Sequence, residues 1–354
     1  MKVAAVVTFY MATALVMVFV NKAVLNATPD LPLLYLFNQL VIAVLLLHGA
    51  SFLTVKVQIP KVDVHTAKKL TPVVTVNIIG LVFNTLCLRG VEASFFQIAR
   101  GMVLPLTILV SCIHTYARPS VKVLIAAGIV TFGFLTGISP NKDLPISASP
   151  SVVSLIYGML SSLFIAVHAV LIKTSLSHCN NSTIELAYWT NLGSAAMVAP
   201  FILVNGELGT LIHLSRSAEW DGKTFGYGSV ITGVFGFLLC VAGLLSIKIT
   251  SPITHMFSSA ARSVLQTLLG VWLFGDILTV NRATSILVIC GGTMYYTWTK
   301  HLENSSSATK APQGQKSDDV ERGLVTIFET KDEIDEGAAT PDRWSASRKT
   351  SEKA

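Results

Sequence analysis

The chain has 354 residues, of which 52% are hydrophobic and only 13% are charged, with a formal net charge of +6. Its mean hydropathy is +0.62. A soluble domain carries roughly 25% charged residues, so this composition excludes an ordinary soluble protein and indicates a chain that crosses a membrane several times.

The charges are unevenly distributed along the chain. The tail from Lys300 onward contains eleven of the twenty acidic residues and nine of the twenty-six basic ones. Residues 1–299 therefore keep nine acids and seventeen bases, a net charge of +8. A membrane-embedded body that avoids acids and retains bases favours an anionic cargo. The five cysteines have no metal-ligand spacing, so we expect no metal site and no cofactor.

Apolar segments bounded by polar residues, proline or glycine predict ten membrane-spanning helices. The first five are expected at about 3–25, 33–54, 70–89, 94–116 and 121–138. The second five are expected at about 151–173, 184–204, 225–247, 252–274 and 278–298. The predicted fold class is thus an all-α membrane protein with a ten-helix domain over residues 1–300.

Basic residues predict the orientation of these helices. The connector over residues 55–70 contains four lysines, which places it in the cytosol by the positive-inside rule. With an even number of spans, both termini are then cytosolic. Residues 301–354 are rich in Ser, Lys, Asp, Glu and Gly, so we expect a disordered cytosolic tail. Asn26 begins an Asn-x-Thr sequon on the predicted lumenal side, close to the membrane.

Two sets of five helices indicate a duplicated unit whose two copies have opposite orientations, as in many secondary carriers. The repeats are expected at about residues 3–138 and 151–298. The fourth span reads SFFQIARGMVLPLT and the ninth reads MFSSAARSVLQTLL, so an Ala-Arg pair occupies the same register in both. The prediction is that Arg100 and Arg262 supply one cation from each repeat to a central cavity.

Arg262 lies eleven positions into an apolar helix over residues 252–274. A guanidinium at such a depth costs about 2.5–3.5 kcal/mol on insertion scales, so it should face a water-filled cavity or an anionic partner. Ser259 and its small neighbours before Arg262 would let a ligand or another helix approach closely. The alternative is that Arg262 pairs with one of the few intramembrane acids.

Four segments of the chain form recognisable motifs: Lys248–Thr267 (KITSPITHMFSSAARSVLQT), Met17–Lys22 (MVFVNK), Phe83–Arg89 (FNTLCLR) and Tyr296–Trp298 (YTW). They resemble those of Golgi nucleotide-sugar transporters of the drug/metabolite transporter superfamily, most closely the GDP-fucose transporters. The resemblance runs from about residue 10 to residue 300 and implies a triose-phosphate-transporter-like domain.

The resemblance also implies roles for individual residues. The base-binding Phe-Tyr-Asn-Asn of the related GDP-mannose transporters corresponds to Tyr188, Trp189, Thr190 and Asn191, which keeps only the last asparagine. Their Gly-Ala-Leu-Asn-Lys, whose lysine approaches the diphosphate, corresponds to 258–262, with arginine in place of lysine. The candidate substrate-binding residues are thus Arg262, Asn191, Thr190, Tyr188, Arg100, Lys22, Ser259 and Gln97.

The implied function is a multi-pass Golgi antiporter, with residence in the endoplasmic reticulum as a further option. It would exchange a cytosolic nucleotide-sugar of the GDP-fucose type for a lumenal nucleoside monophosphate. Its partners would be these nucleotides and membrane lipids, with no nucleic acid, and a homodimer is compatible with the resemblance. Thr190, where that signature has asparagine, leaves UDP-sugars such as UDP-galactofuranose or UDP-xylose as alternatives, along with GDP-mannose.

Two other classes of membrane protein share some of these sequence features. A triose-phosphate or phosphoenolpyruvate exchanger would also need intramembrane cations, but it would not need base-reading side chains in the seventh span. A membrane-embedded transferase needs acid–base residues at the membrane edge. The nine acids of the body form no persuasive pair, and no nucleophile motif is present, so we expect the protein not to be an enzyme.

Overall fold

The computed structural model describes residues 2–54, 57–116, 118–139, 151–180, 182–217, 220–249 and 252–310, without the side chains at 2–4, 94, 173, 183, 240–249, 252–260 and 304–310. These ranges form twelve α-helices and a 3₁₀ turn, Ser177–Cys179. The first six helices are α1 (Lys2–Ala27), α2 (Pro32–Leu53), α3 (Val64–Gly90), α4 (Ala93–Ala99), α5 (Val103–Thr115) and α6 (Val121–Ile138). The others are α7 (Val152–Leu176), α8 (Thr183–Val204), α9 (Glu207–Ser215), α10 (Gly222–Ile249), α11 (Pro252–Phe274) and α12 (Val280–Lys310).

Every element in the described ranges is helical, and seven segments are long and apolar enough to cross a membrane. They begin with Ala5–Ala27, end with Ile184–Val204, and coincide with the first seven predicted spans. The prediction of an all-α membrane protein is therefore confirmed. Helices α10, α11 and α12 overlap the last three predicted spans, while most of the predicted tail lies outside the described residues.

Local sequence signals explain where the helices begin. Asp63, Ser120, Ser151 and Ser182 each precede a helix and accept a hydrogen bond from the backbone N–H three positions later, at 3.0, 3.4, 3.1 and 3.3 Å. Such N-caps satisfy one of the amide groups that has no partner within the helix. Pro32 opens α2, where its missing N–H costs nothing.

The predicted fourth span is one membrane-length segment made of two helices, α4 and α5, with a turn at residues 100–102 between them. Two nearby residues account for the division. Gly101 disfavours a helix interior, and Pro105 has no N–H to donate to the carbonyl of Gly101. Arg100 therefore lies at the C-cap of α4 rather than inside a continuous helix.

Helix α9 is a short element within the connector that was predicted between the seventh and eighth spans. Its Leu211 and Leu214 pack against the main hydrophobic core, which is why this stretch is helical although it is too short to cross a membrane. Its first residue, Glu207, is 2% exposed. The connector therefore contributes a buried acid to the fold.

The helices pack as a bundle in which three pairs have the longest contacts: α6 with α12, α1 with α10, and α3 with α7. Helix α2 packs between α8 and α10, and α11 contacts α1, α4 and α12. The largest hydrophobic core is built from α1, α2, α3, α4 and α8. Helix α4 and the turn after it are thereby held in the interior, beside α11.

Candidate functional site

Two arginines meet inside the bundle. Arg100 lies in the turn after α4, and Arg262 lies near the middle of α11, the helix packed against α4. Their guanidinium groups are close enough for the two positive charges to interact. Both side chains are half-buried. The sequence predicted that these residues would lie near each other, and the structure brings them together.

Aromatic rings flank this pair. The Arg100 guanidinium carbon lies 5.4 Å from the centre of the Phe96 ring, and that of Arg262 lies 5.7 Å from the Tyr10 ring. A ring face offers a cation a partial substitute for water. The Nε atom of Arg100 is buried and has no hydrogen-bond partner among the described residues, which also give Arg100 no salt bridge. The site therefore retains hydrogen-bonding capacity for an anion.

Tyr10 was not among the predicted site residues, and neither was Gln266. The Gln266 side chain is 2% exposed and donates a hydrogen bond to the Ala93 carbonyl at 3.1 Å, which ties α11 to α4. One signal was present in the sequence: Gln266 lies one helical turn after Arg262, on the same face of α11. This bond helps to hold the two arginine-bearing elements together.

Lys22 lies near the end of α1 and contacts the end of α3. Its ammonium donates hydrogen bonds to the Leu88 and Arg89 carbonyls, at 3.0 and 3.4 Å, where α3 ends. The carboxylates whose charges act on it are Asp276 and Glu92. The structure thus places Lys22 at one end of the bundle, in contact with the terminus of a neighbouring helix.

The predicted base-binding residues lie on α8. Asn191 donates a hydrogen bond to the Ala187 carbonyl at 2.7 Å, and the Thr190 hydroxyl donates to carbonyls one turn back in the same helix. The Tyr188 ring meets His48 of α2 edge-on at 5.4 Å, and Trp189 packs in a cluster with residues of α3. Both aromatic residues therefore contribute to helix packing.

Two other predicted residues lie around the arginines. Gln97 is half-buried on α4, three positions before Arg100. The backbone of Ser259 lies in α11, three positions before Arg262, and its side chain lies outside the described part of the chain.

A polar network that was not predicted joins α1, α2 and α10. The Tyr35 hydroxyl lies 2.6 Å from the Asn21 side-chain oxygen and 3.1 Å from the Thr232 hydroxyl. Gln39 donates to the same Asn21 oxygen at 2.9 Å. Lipid does not tolerate unpaired polar groups, so Asn21 and Gln39 within apolar spans were the signal that could have identified this network.

A cavity of about 390 Å³ opens where α1 and α3 end and α7 begins. It is lined by Leu25, Asn26, Pro29, Leu86, Arg89, Gly90, Ser154 and Tyr157. Arg89 is 4.0 Å from the Asp30 carboxylate, and both side chains are exposed. The cavity lies at the end of the bundle where Lys22 contacts α3.

A bundle of membrane-length helices that holds two guanidiniums in its interior defines a multi-pass membrane transport protein. Residues 1–297 match the model of the Triose-phosphate Transporter family, and the chain belongs to that family. Because this is a family of transporters, the prediction that the protein is not an enzyme is confirmed.

The chain is also similar to named transporters. It is 30% identical over 331 residues to GDP-fucose transporter 1 of Mus musculus, covering 90% of this chain and 89% of the relative. It is 29% identical to the Golgi GDP-fucose transporter of Drosophila melanogaster, over 86% and 91% of the two chains. It is 23% identical to UDP-galactose/UDP-glucose transporter 7 of Arabidopsis thaliana, over 85% and 91%. The predicted resemblance to GDP-fucose transporters is confirmed.

Proposed function

We propose that this chain is a Golgi nucleotide-sugar transporter that exchanges a cytosolic nucleotide-sugar of the GDP-fucose type for a lumenal nucleoside monophosphate. The observation that carries the proposal is the meeting of Arg100 and Arg262 beside α1, α4 and α11. Two adjacent guanidiniums repel each other when no anion is present, and a diphosphate between them removes that repulsion. The GDP-fucose transporters among the relatives supply the substrate class.

The proposed architecture is ten spans in two inverted repeats, with α4 and α5 together forming the fourth span. The pattern of helix contacts supports it. If the two halves are exchanged, the contact of α1 with α10 becomes that of α7 with α3, and the contact of α2 with α10 becomes that of α8 with α3. The contacts of α6 with α12, α4 with α11 and α2 with α8 map onto themselves. Both halves then contribute equally to the centre, with both termini in the cytosol.

In this proposal the guanidiniums bind the diphosphate, because a planar fork of N–H donors matches phosphate oxygens. Asn191 and Thr190 of α8 read the base, with Tyr188 packed beside them, while Gln97 and Ser259 lie one turn from the arginines on α4 and α11. Lys22 contributes positive potential from the end of the bundle. The neutralised cavity can then close on one side and open on the other, as one repeat moves against the other.

Two other substrate classes each have one observation in their favour. Thr190 stands where the GDP-mannose transporters have an asparagine, and a transporter for UDP-sugars is among the similar chains. The family is named for triose-phosphate transport, which also needs intramembrane cations.

Proteoliposome uptake tests the proposal. Purified full-length protein would be reconstituted in liposomes loaded with GMP, UMP, CMP, inorganic phosphate or no solute, and uptake of radiolabelled GDP-fucose, GDP-mannose, UDP-galactose and CMP-sialic acid would be measured. We expect uptake of GDP-fucose only into liposomes loaded with GMP. Equal uptake into empty liposomes would contradict the exchange, and preferential uptake of UDP-galactose would contradict the GDP-fucose specificity.

A further inference from the structure

Four charged side chains converge at the end of the bundle where Lys22 lies. They come from four elements: Lys22 from α1, Glu92 from the residue before α4, Asp276 from the connector after α11, and Arg282 from the first turn of α12. Lys22, Asp276 and Arg282 are 7%, 7% and 2% exposed. We name these four residues the terminal charge cluster.

The Glu92–Arg282 ion pair is the centre of the terminal charge cluster. Arg282 donates hydrogen bonds to the Glu92 carboxylate and, at 2.7 Å, to the Ile277 carbonyl. The guanidinium carbon lies 5.0 Å from the centre of the Phe95 ring. The Arg282 side chain is 3% exposed and the Glu92 side chain is 23% exposed, so the pair is largely shielded from water.

Lys22 completes the cluster. Its ammonium is held by the carbonyls of Leu88 and Arg89 at 3.0 and 3.4 Å, and the nearby negative charges that act on it are those of Asp276 and Glu92. Two acids therefore balance two bases. Glu92 and Lys22 belong to the first half of the chain and Asp276 and Arg282 to the second, so the cluster joins the halves.

Such a contact suits a reversible closure better than a permanent one. A buried ion pair adds little net stability, because the cost of desolvating both partners offsets their attraction. When both partners return to water together, that cost is recovered, so the contact can open without leaving an unpaired buried charge. An apolar interface of the same area would not rehydrate in this way.

The sequence provides no matching pair in the other repeat. Glu92 lies eight positions before Arg100, and the residue eight positions before Arg262 is Thr254. On this register the second repeat has no acid where the first has Glu92. Among the described residues, the Glu92–Arg282 pair thus has no counterpart at the position that this register gives in the second repeat.

We propose that the terminal charge cluster is the lumenal gate of the transporter. It holds the two halves together on the lumenal side while the cavity around Arg100 and Arg262 is open to the cytosol, and it separates when the substrate is released into the lumen. This inference rests on the proposed transport function and adds to it the residues that close one side.

Two native cysteines provide reporters for this gate. Cys87 directly precedes Leu88, whose carbonyl accepts the hydrogen bond from Lys22 of the terminal charge cluster, and it is 0% exposed. Cys179 is also 0% exposed, but it lies in a separate hydrophobic cluster formed with α3 and α8. Opening of the gate should expose Cys87 alone, whereas unfolding exposes both thiols.

The experiment measures the rate at which a membrane-impermeant maleimide modifies each cysteine of the full-length protein, read by mass spectrometry of the peptides. Golgi vesicles with the cytosolic face outward would be compared sealed and permeabilised. In permeabilised vesicles we expect Glu92→Gln and Arg282→Gln to raise the Cys87 rate about tenfold, because each leaves one partner unpaired. The exchanged pair E92R/R282E should restore slow modification.

The matched control is the pair at the end of α12, where Lys300 lies 3.2 Å from Glu303 and Ser120 of α6 donates to Glu303 at 2.6 Å. Glu303→Gln should leave the Cys87 rate unchanged. An unchanged Cys87 rate in both single variants, equal acceleration of Cys87 and Cys179, or equal labelling in sealed vesicles would overturn the proposal. These rates need no substrate, so an accelerated Cys87 in a protein that fails the uptake test would contradict only the proposed function.

Discussion

At the scale of single residues, the two positive charges of the arginine pair determine what the site can bind. Arg100 and Arg262 repel each other, and each guanidinium also lies beside an aromatic ring, that of Phe96 or of Tyr10. An anion placed between them relieves the repulsion and gains charge-assisted hydrogen bonds, each worth about 1.5–3 kcal/mol. A site of this kind should prefer a diphosphate to a neutral sugar.

Asn191 is the residue on which base discrimination can be tested. One of its N–H groups donates to the Ala187 carbonyl, and its amide has a further N–H and a carbonyl oxygen with which to meet a base. We expect Asn191→Ala to reduce the preference among GDP, UDP and CMP about two- to tenfold, the worth of one hydrogen bond. Competition of each nucleotide against labelled uptake would measure the preference.

Asn77→Ala is the control for that experiment, because Asn77 donates to the Ser194 hydroxyl at 3.2 Å and so joins α3 to α8. It should lower the melting temperature and leave the order of nucleotide preference unchanged. If Asn191→Ala left the preference among the three nucleotides unaltered, Asn191 would not read the base.

Glu207 caps a helix to which it does not belong. Leu31, at the N-cap of α2, makes no side-chain bond there, and the Glu207 carboxylate accepts the N–H groups of Leu33 and Leu34 at 3.2 and 2.7 Å. Burial raises the pKa of Glu207, and the two N–H donors oppose that shift in part. The folded protein therefore binds a proton on Glu207 more readily than the unfolded chain does.

The sign of the pH dependence follows from this raised pKa. Stability from Glu207 is fully present below the ordinary glutamate pKa and is lost as the pH rises through the raised value. We predict that Glu207→Gln flattens the fall in melting temperature as the pH rises above the ordinary glutamate pKa. Melting curves of both proteins across this range would measure the difference.

Asp221 is a control residue, because its contribution to stability should change with pH in the opposite direction. It is exposed, and hydrogen bonds from the Thr224 hydroxyl and backbone N–H lower the pKa of its carboxyl. Its contribution is present above the ordinary aspartate pKa and is lost on acidification, so Asp221→Asn should not reproduce the Glu207→Gln profile. Parallel profiles for wild type and Glu207→Gln would refute the assignment.

The sequence could identify the two interior arginines, because a charge in an apolar helix is costly wherever the chain places it. Lys22 was predicted as a further cation of the site, and the structure places its ammonium on two carbonyls at the end of α3. These contacts are made with a neighbouring helix, so the segment around Lys22 does not reveal them by itself. For the same reason the buried position of Glu207 could not be inferred from its own segment.

At the scale of helices, the close approach of α6 and α12 explains why this pair makes the most extensive contact in the bundle. Glycines of α6 and α12 let the two helices pack at short distance. A Cβ atom at Gly133 would lie 3.0 Å from side-chain carbons of Val288 and Ile289 and 3.1 Å from the Ile289 backbone nitrogen. The backbone cannot move away as a flexible side chain can, so a larger residue there must separate the helices.

This packing gives a test with an internal control. We predict that Gly133→Leu destabilises the protein by about 1–3 kcal/mol, the usual cost of overpacking. Gly128→Leu, on the same helix, should have little effect because no atom lies within 4 Å of a Cβ at that position. Thermal melting of both variants in detergent would measure the difference in stability. Equal melting temperatures would show that α6 and α12 do not pack in this way.

Hydropathy predicted the membrane-length segments well because it reports burial in lipid, which acts on long apolar runs. It did not predict the turn after α4 or the presence of α9. The turn arises from Gly101 and Pro105 within an otherwise apolar run. Helix α9 exists because two leucines pack on the core, a tertiary contact that a window of hydropathy does not detect.

At the scale of the whole molecule, the most extensive helix contacts follow the proposed exchange of halves and the distribution of charge does not. The contacts of α1 with α10 and of α3 with α7 are the clearest such pair. The terminal charge cluster, by contrast, lies at one end only within the part of the chain that the structure describes. The proposed lumenal gate is therefore a property of the side chains at one end and not of the helix arrangement that the two halves share.

One arginine from each half is proposed to bind the same anion, and GDP binding to the purified full-length protein in nanodiscs tests this most directly. Titration calorimetry would compare wild type with Arg100→Ala, Arg262→Ala and, as a control, Arg216→Ala at the exposed end of α9. We predict binding about 10- to 100-fold weaker in each interior variant, with an unchanged melting temperature, and unaltered binding in the control. Wild-type affinity in both interior variants would contradict the account.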